Sequence, residues 1–412
     1  MANTILNDKR AFNPNNILHN GGFDLWQRGT TQGGTYTTAT TGAGSANVSA
    51  LTNVVTNIRP SMTVTGTTVG SSKTVSSLTS NTAIVMNSGS GATLATATAT
   101  VAFGVPTDTY MSDRWYVLTQ TSGVACARDA GDQSEYSCKI TQNAIGAPGN
   151  QRFGLAQIVE NKDTVDMRGN YVYFQCRFQT SNLQPVYAAI LEWTGTADSA
   201  TSAFVNDWTK SSLTSGQFFS STTTTVTAVS SATTPTAVNT WTDLTVGGQV
   251  SSSATNLMVF VWTKDTAATG FVMKVAQAGL FNSPNAVNWY PRPHLTESEL
   301  CRRFFERFSA SGASQVLGAG YANSTTSARV ILPFSPKITA PTIAFQGLVA
   351  DLTVGITASG SAVATAVSGT AASGSMGLVT VTVASGLTGG QGLHIQDSGN
   401  ATQCGIEVSA DL

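Results

Sequence analysis

Between Tyr171 and Phe178 every second residue is apolar, so that Val172, Phe174, Cys176 and Phe178 share one side of the chain. Successive side chains of a strand point to opposite faces, and a period of two therefore reads as a half-buried strand. Leu257-Met258-Val259-Phe260-Val261-Trp262 is apolar on both faces, as a central strand must be. Phe271 to Phe281 is another long strand candidate, and Ala188 to Trp193 a shorter one. Clusters of Gly, Ser, Asn and Thr separate these runs, as turns require. Many strands with almost no helical periodicity predict an all-β protein whose main body, residues 106–290, is an antiparallel β-sandwich of jelly-roll type.

Charge is scarce. Of 412 residues only 10% are charged, against about 25% in an average soluble domain. The formal net charge of -1 argues against a nucleic-acid surface, whose affinity comes from Lys and Arg neutralising phosphates. No run of roughly 18 apolar residues exists, so no membrane-spanning helix is expected. The N-terminal MANTILNDKRAFNPNN has charges and Asn where a signal peptide needs an apolar stretch, so synthesis in a cytoplasm without a signal peptide is expected. Five cysteines fit no zinc spacing, and buried free thiols are the expected state. Cys126 and Cys138 lie symmetrically about Asp132 in a predicted hairpin, which leaves a disulfide between them open. No cofactor or metal is implied, since His19, His294 and His394 have no ligand-like spacing.

The chain divides by composition. Residues 1–19 form an Asn-rich lead-in, a candidate attachment segment. Residues 20–308 form the sandwich domain, with an inserted Thr/Ser/Ala/Gly-rich segment at 31–105. Alternation at Ser61–Thr65 and Ala83–Met86 makes that insert a β arm rather than a disordered linker. A terminal helix is predicted over 296–308: Thr296 caps it, Glu299 completes a capping box, and Leu295 and Leu300 supply a hydrophobic staple. Leu300, Phe304 and Phe308 then make its apolar stripe, and Glu299 pairs with Arg303 on the solvent side. Residues 309–412 carry six charges and strand candidates at Ala328–Leu332, Thr342–Phe345, Leu378–Val383 and Cys404–Val408, which predicts a smaller C-terminal β domain.

Three blocks concentrate the aromatic and charged residues: NGGFDLWQRGT at 20–30, SDRWYV at 112–117 and WYPRPHLTESELCRRFFERF at 289–308. Taken in order with Gln277, Arg292-Pro293 and Ser327–Phe334, they resemble bacteriophage and prophage tail-fibre and related virion proteins. The resemblance spans roughly 16–30 and 106–345 and leaves out 31–105. Where the family has an Arg followed by two tyrosine-like residues, this chain has Arg303-Phe304-Phe305, which removes a hydroxyl and favours burial. The resemblance implies a sandwich like that of carbohydrate-binding modules, a place on a virion among other virion proteins, and self-association, a trimer above all.

Trp26, Arg28, Asp113, Arg114 and Trp115 are read as structural. Asp113 is expected to pair with Arg28 or Arg114, and the two tryptophans to stack on guanidinium groups or enter the core. Glycan sites use exposed aromatic rings beside amides and carboxylates. The candidates are Trp208 with Asp207, Trp193 with Glu192, and Trp241 with Asp243; Trp208, in a polar stretch, is expected to be the most exposed. Three functions follow: a non-catalytic short fibre or spike that contacts host-surface polysaccharide, a purely architectural head-fibre, collar or decoration protein, or a glycan depolymerase, which would need paired carboxylates. The first is preferred.

Overall fold

The computed structural model describes residues 16–412 except 42–45, 67–68, 70–72, 88–96, 147–148, 223, 310–313, 357–359, 399–403 and 412. Most of the predicted lead-in, residues 1–15, lies outside the described residues. The protein is almost entirely antiparallel β structure, as the alternation predicts.

Two six-stranded sheets face each other. The first runs in the order Thr31–Gln32, Ala125–Ala130, Tyr136–Thr141, Val272–Asn282, Tyr171–Thr180, Thr242–Gln249. The second runs Thr224–Val229, Val186–Trp193, Asn256–Thr263, Phe153–Val159, Tyr116–Thr119, Thr109–Tyr110. Val172, Phe174, Cys176 and Phe178 point inward and are buried with Leu155, Val259 and Val261. Asn256–Thr263 is buried at every position because its other face also meets an aromatic layer. Cys126 pairs with Ile140, and Cys138 with Arg128, so the two cysteines sit diagonally; all five cysteines are buried and free.

The Thr/Ser/Ala/Gly-rich insert is not an outstretched arm. Its strands Gly34–Thr41, Asn47–Ser49, Lys73–Ser80, Ala83–Met86, Thr63–Gly66 and Ala97–Gly104 close into a barrel. Val48, Val64, Val75, Ile84, Val101 and Phe103 fill it and are continuous with the sandwich core. Closure gives each of these strands a partner on both sides, which removes the free sheet edge of an open sheet. A second six-stranded barrel is built from Val316–Ala322, Ser327–Pro333, Met376–Val383, Gly360–Ser373, Leu352–Ile356 and Gly392–Asp397.

The predicted helix is shorter and turned differently. It spans His294–Arg302 and follows Pro293, with no side-chain cap; Thr296 lies inside it and makes no capping box. Leu295 is 73% exposed and staples nothing. Glu299 pairs with Arg302 at 2.9 Å, while Arg303 binds Glu160 at 2.7 and 3.0 Å. Glu297 and Cys301 are the buried helical residues. The reason is tertiary: the Glu297 carboxylate accepts from the Asn20 N–H and from Arg292, which turns this side of the helix inward. Phe305–Ser309 is then a strand, paired with Gly405–Ser409, which pairs in turn with Thr342–Gln346.

Candidate functional site: a polar cleft on one face of the sandwich

The three sequence blocks meet in one buried hub. Asn20, fully buried with φ +53°, holds Leu25, Ser112 and the Asp113 carbonyl through its amide. Its own carbonyl accepts from the Trp115 indole at 3.0 Å. Trp26 and Trp115 enter the core, and it is phenylalanines that carry the guanidinium groups: Arg28 lies 3.5 Å from the Phe305 ring centre and Arg114 3.4 Å from that of Phe304. Asp113 faces Arg28 at 3.9 Å and accepts from Gln27 at 3.1 and 2.7 Å. Burial pushes the Asp113 carboxyl up to about 6, against the pull of Arg28. Arg28 also pairs with Asp411, and Arg59 with Glu407 at 2.9 Å, which ties the last strand to the hub.

Beside this hub lies a cleft of about 580 Å³, within the range of small-ligand sites. Its floor is the outward side of Tyr171–Thr180, Thr242–Gln249 and Val272–Asn282, and its wall is the segment 286–290. A bulge shapes the floor. Gln175 is opposite Gly279 but Arg177 is opposite Ala276, so Gln277 and Ala278 together face Cys176. Gln277 takes φ +52°, and its amide oxygen accepts from the backbone N–H groups of Gln133 at 3.0 Å and Ser134 at 3.1 Å. Bulges of this kind re-aim a side chain beside functional sites.

The opening glycines support the bulge. A Cβ on Gly21 would lie 2.1 Å from the Ala278 carbonyl oxygen, and one on Gly22 would lie 3.4 Å from the Trp289 ring. The Trp289 indole donates to that same Ala278 carbonyl at 3.1 Å. Gln175 clamps the wall, its amide donating to the Val287 carbonyl and accepting from the Val287 N–H. Arg177 pairs with Asp132 and, at 3.1 Å, with Asp243, and donates to the Trp241 carbonyl at 3.1 Å. Asp243 remains 78% exposed at its side chain, and Tyr290 is exposed at the rim. The arrangement offers amides, a carboxylate and aromatic rings to a hydroxyl-rich ligand.

The sequence candidates fall on both sides of the sandwich. Asp243 lies on the cleft-bearing sheet and lines the cleft, and Trp241 directly precedes its strand. Trp193 and Glu192 lie on the other sheet. Glu192 is buried and accepts from Thr227, from the Ser251 N–H and from the Ser251 hydroxyl, so its carboxylate is fully occupied. The half-buried Trp193 donates its indole N–H to the Thr196 carbonyl at 3.0 Å. Trp208 is half-buried rather than exposed, edge-on to Phe218 and Phe260 at 5.7 and 6.0 Å. Asp207 closes a turn onto Thr209, whose hydrogen bonds hold its carboxyl below the usual range. Sequence reading missed Gln175, Gln277, Trp289 and Tyr290 as a group; a Trp-Tyr pair directly before Pro291 was the available signal. Among the described residues no three His, Cys, Asp or Glu side chains are placed to hold a metal, and no helix is long and apolar enough to cross a membrane.

No protein-family model and no curated protein matches this chain. Solved structures with a similar arrangement include TmCBM61 in complex with β-1,4-galactotriose, at 10% identity and TM-score 0.26 over 41% of this chain and 88% of that one. A putative sugar-binding protein from Bacteroides thetaiotaomicron is similar at 13% identity and TM-score 0.28, over 43% and 92%. The enzymatically active domain of tailspike protein 4 from bacteriophage CBA120 is similar at 10% identity and TM-score 0.26, over 41% of this chain and 19% of that one. Likenesses at this level assign no ligand.

Proposed function

We propose that this chain is a non-catalytic glycan-binding protein of a phage virion, a short fibre or spike that contacts host-surface polysaccharide. The observation that carries the glycan reading is the polar cleft walled by Trp289 and Tyr290 on a sheet face that presents Gln175, Arg177, Asp243 and Thr245. Aromatic faces take the apolar side of a sugar ring, and amides and carboxylates take its hydroxyls. Asp132 and Asp243 share one guanidinium, that of Arg177, which supports holding a glycan rather than cleaving it. The virion setting, synthesis in a host cytoplasm, association with other virion proteins and a trimeric state rest on the resemblance carried by Asn20–Gly29, Tyr110–Trp115 and Glu299–Phe305. Repetition of weak sites on one particle then supplies avidity.

The test is a glycan array probed with the purified oligomer and with Tyr290→Ala. Saturable binding weakened about tenfold by the substitution, or roughly 1.4 kcal/mol, is expected. An array blank for the wild-type oligomer, together with normal adsorption of particles that lack the protein, would turn the reading toward an architectural head-fibre, collar or decoration protein. Release of reducing ends from a bound polysaccharide would turn it toward a depolymerase.

A further inference from the structure

Resting on the glycan reading, we infer that the cleft takes an uncharged polysaccharide segment and discriminates against chains carrying uronate or sialate groups. The argument is one of charge placement. Arg177 and Asp243 are the charged residues that line the cleft. Arg177 is committed twice, to Asp132 and to Asp243, and donates in addition to the Trp241 carbonyl. Within the lining the two charges cancel, and Arg177 is held by a further carboxylate, that of Asp132, so its guanidinium is not free for an anion. Further along the same sheet Lys139 and Lys274 both turn to Asp129, at 3.5 and 3.1 Å. These two lysines share one carboxylate and do not line the cleft, so an anion entering the cleft meets Arg177 alone and would have to displace a carboxylate from it.

What remains for a ligand suits hydroxyl groups. Asp243 is held by Arg177 on one side and exposed over most of its side chain, so its oxygens accept hydrogen bonds from neighbouring sugar hydroxyls. Gln277 is buried with its amide oxygen held by the backbone, so it shapes the floor of the cleft. Gln175, occupied at both ends by Val287, is a positioning residue that fixes the wall. A carboxylate that accepts from hydroxyls also repels an acidic sugar, so Asp243 selects by what it excludes as well as by what it binds.

The experiment measures binding of dextran, galactomannan, arabinogalactan, polygalacturonate and alginate to the full chain, the two acidic chains included, for wild type, Asp243→Asn and Tyr290→Ala. The inference expects the wild type to bind at least one neutral chain with an affinity that rising salt leaves unchanged. It expects Asp243→Asn to narrow the preference for neutral over acidic chains about tenfold, with an unchanged melting temperature since Asp243 is exposed. Wild-type binding of an acidic chain that is lost in Tyr290→Ala would overturn the charge selection and leave the glycan reading standing. Absence of binding to all five, or binding that Tyr290→Ala does not touch, would overturn the cleft reading and this inference with it.

Discussion

The two outer faces of the sandwich are made from the same kind of strand and treated in opposite ways. On the face of Val186–Trp193 and Asn256–Thr263, the outward residues are apolar and largely aromatic, and Ala200, Phe204, Phe218 and Phe219 cover them. Trp262 lies between Phe260 at 4.6 Å, Phe218 at 5.4 Å and Tyr187 at 5.3 Å, ring centre to ring centre, all three stacked. On the face of Tyr171–Thr180 and Thr242–Gln249 the outward residues at the cleft are Gln175, Arg177, Asp243 and Thr245, with Tyr171 and Tyr173 further along the strand, and a cleft is left open. The difference teaches that aromatic content alone misleads. The covered face holds more rings, yet those rings serve as a second core; the open face has Tyr171 and Tyr173 on its strand and Trp289 and Tyr290 at the cleft, beside groups that can recognise a hydroxyl.

The largest expected effect is on the covered face. Trp262→Ala removes a fully buried indole and should cost about 3–5 kcal/mol, read as a lowered denaturation midpoint, while glycan affinity per folded molecule stays unchanged. Trp115→Ala should cost a similar amount, about 3–5 kcal/mol, because that indole is also fully buried in the core. A midpoint unmoved by either substitution would contradict the packing.

Asp113 gives a pH test of the hub beneath both faces. Its carboxyl titrates near 6 in the folded protein against 3.8 as the ordinary value, so between those limits the folded state holds more protons than the unfolded one. This group's contribution is therefore fully present below about pH 4 and declines as pH rises towards 6. Stability curves of wild type and Asp113→Asn measured from pH 4 to 7 should diverge by up to about 3 kcal/mol, the wild type losing more with rising pH. Parallel curves would mean that Asp113 does not titrate there.

The smallest effect on stability, and the most specific to the open face, is expected from Gly21→Ala. The added methyl has to push the Ala278 carbonyl and with it the bulge that sets Gln277. About 1–3 kcal/mol is expected from such overpacking, accompanied by a loss of glycan affinity that Trp262→Ala does not show. Equal affinity losses in Gly21→Ala and Trp262→Ala would erase the distinction between the faces.

Much of the scaffold was legible. Tyr171–Thr180 and Asn256–Thr263 were visible because strand burial repeats every two residues, and a strand covered on both sides must be apolar throughout. The cleft was only half legible. Gln277 and Asp243 stood out as residues, but what joins them is a bulge in one strand and a wall segment pinned by Gln175. Trp208 is half-buried because Phe260, far along the chain, packs against it, which local polarity says nothing of.

The sequence by itself determined that this protein is a charge-poor, antiparallel β molecule, because side-chain alternation and burial are local properties of a strand. It also marked Trp26, Arg28, Asp113, Arg114 and Trp115 as structural, while the place of Asn20 at their centre came from the tertiary structure. The tertiary structure decided where the helix stops, because Phe305–Ser309 becomes a strand only on meeting Gly405–Ser409. It decided that the insert closes as a barrel, because closure depends on pairing first and last strands. And it decided which face stays open, because that depends on which outward side chains another part of the chain arrives to cover.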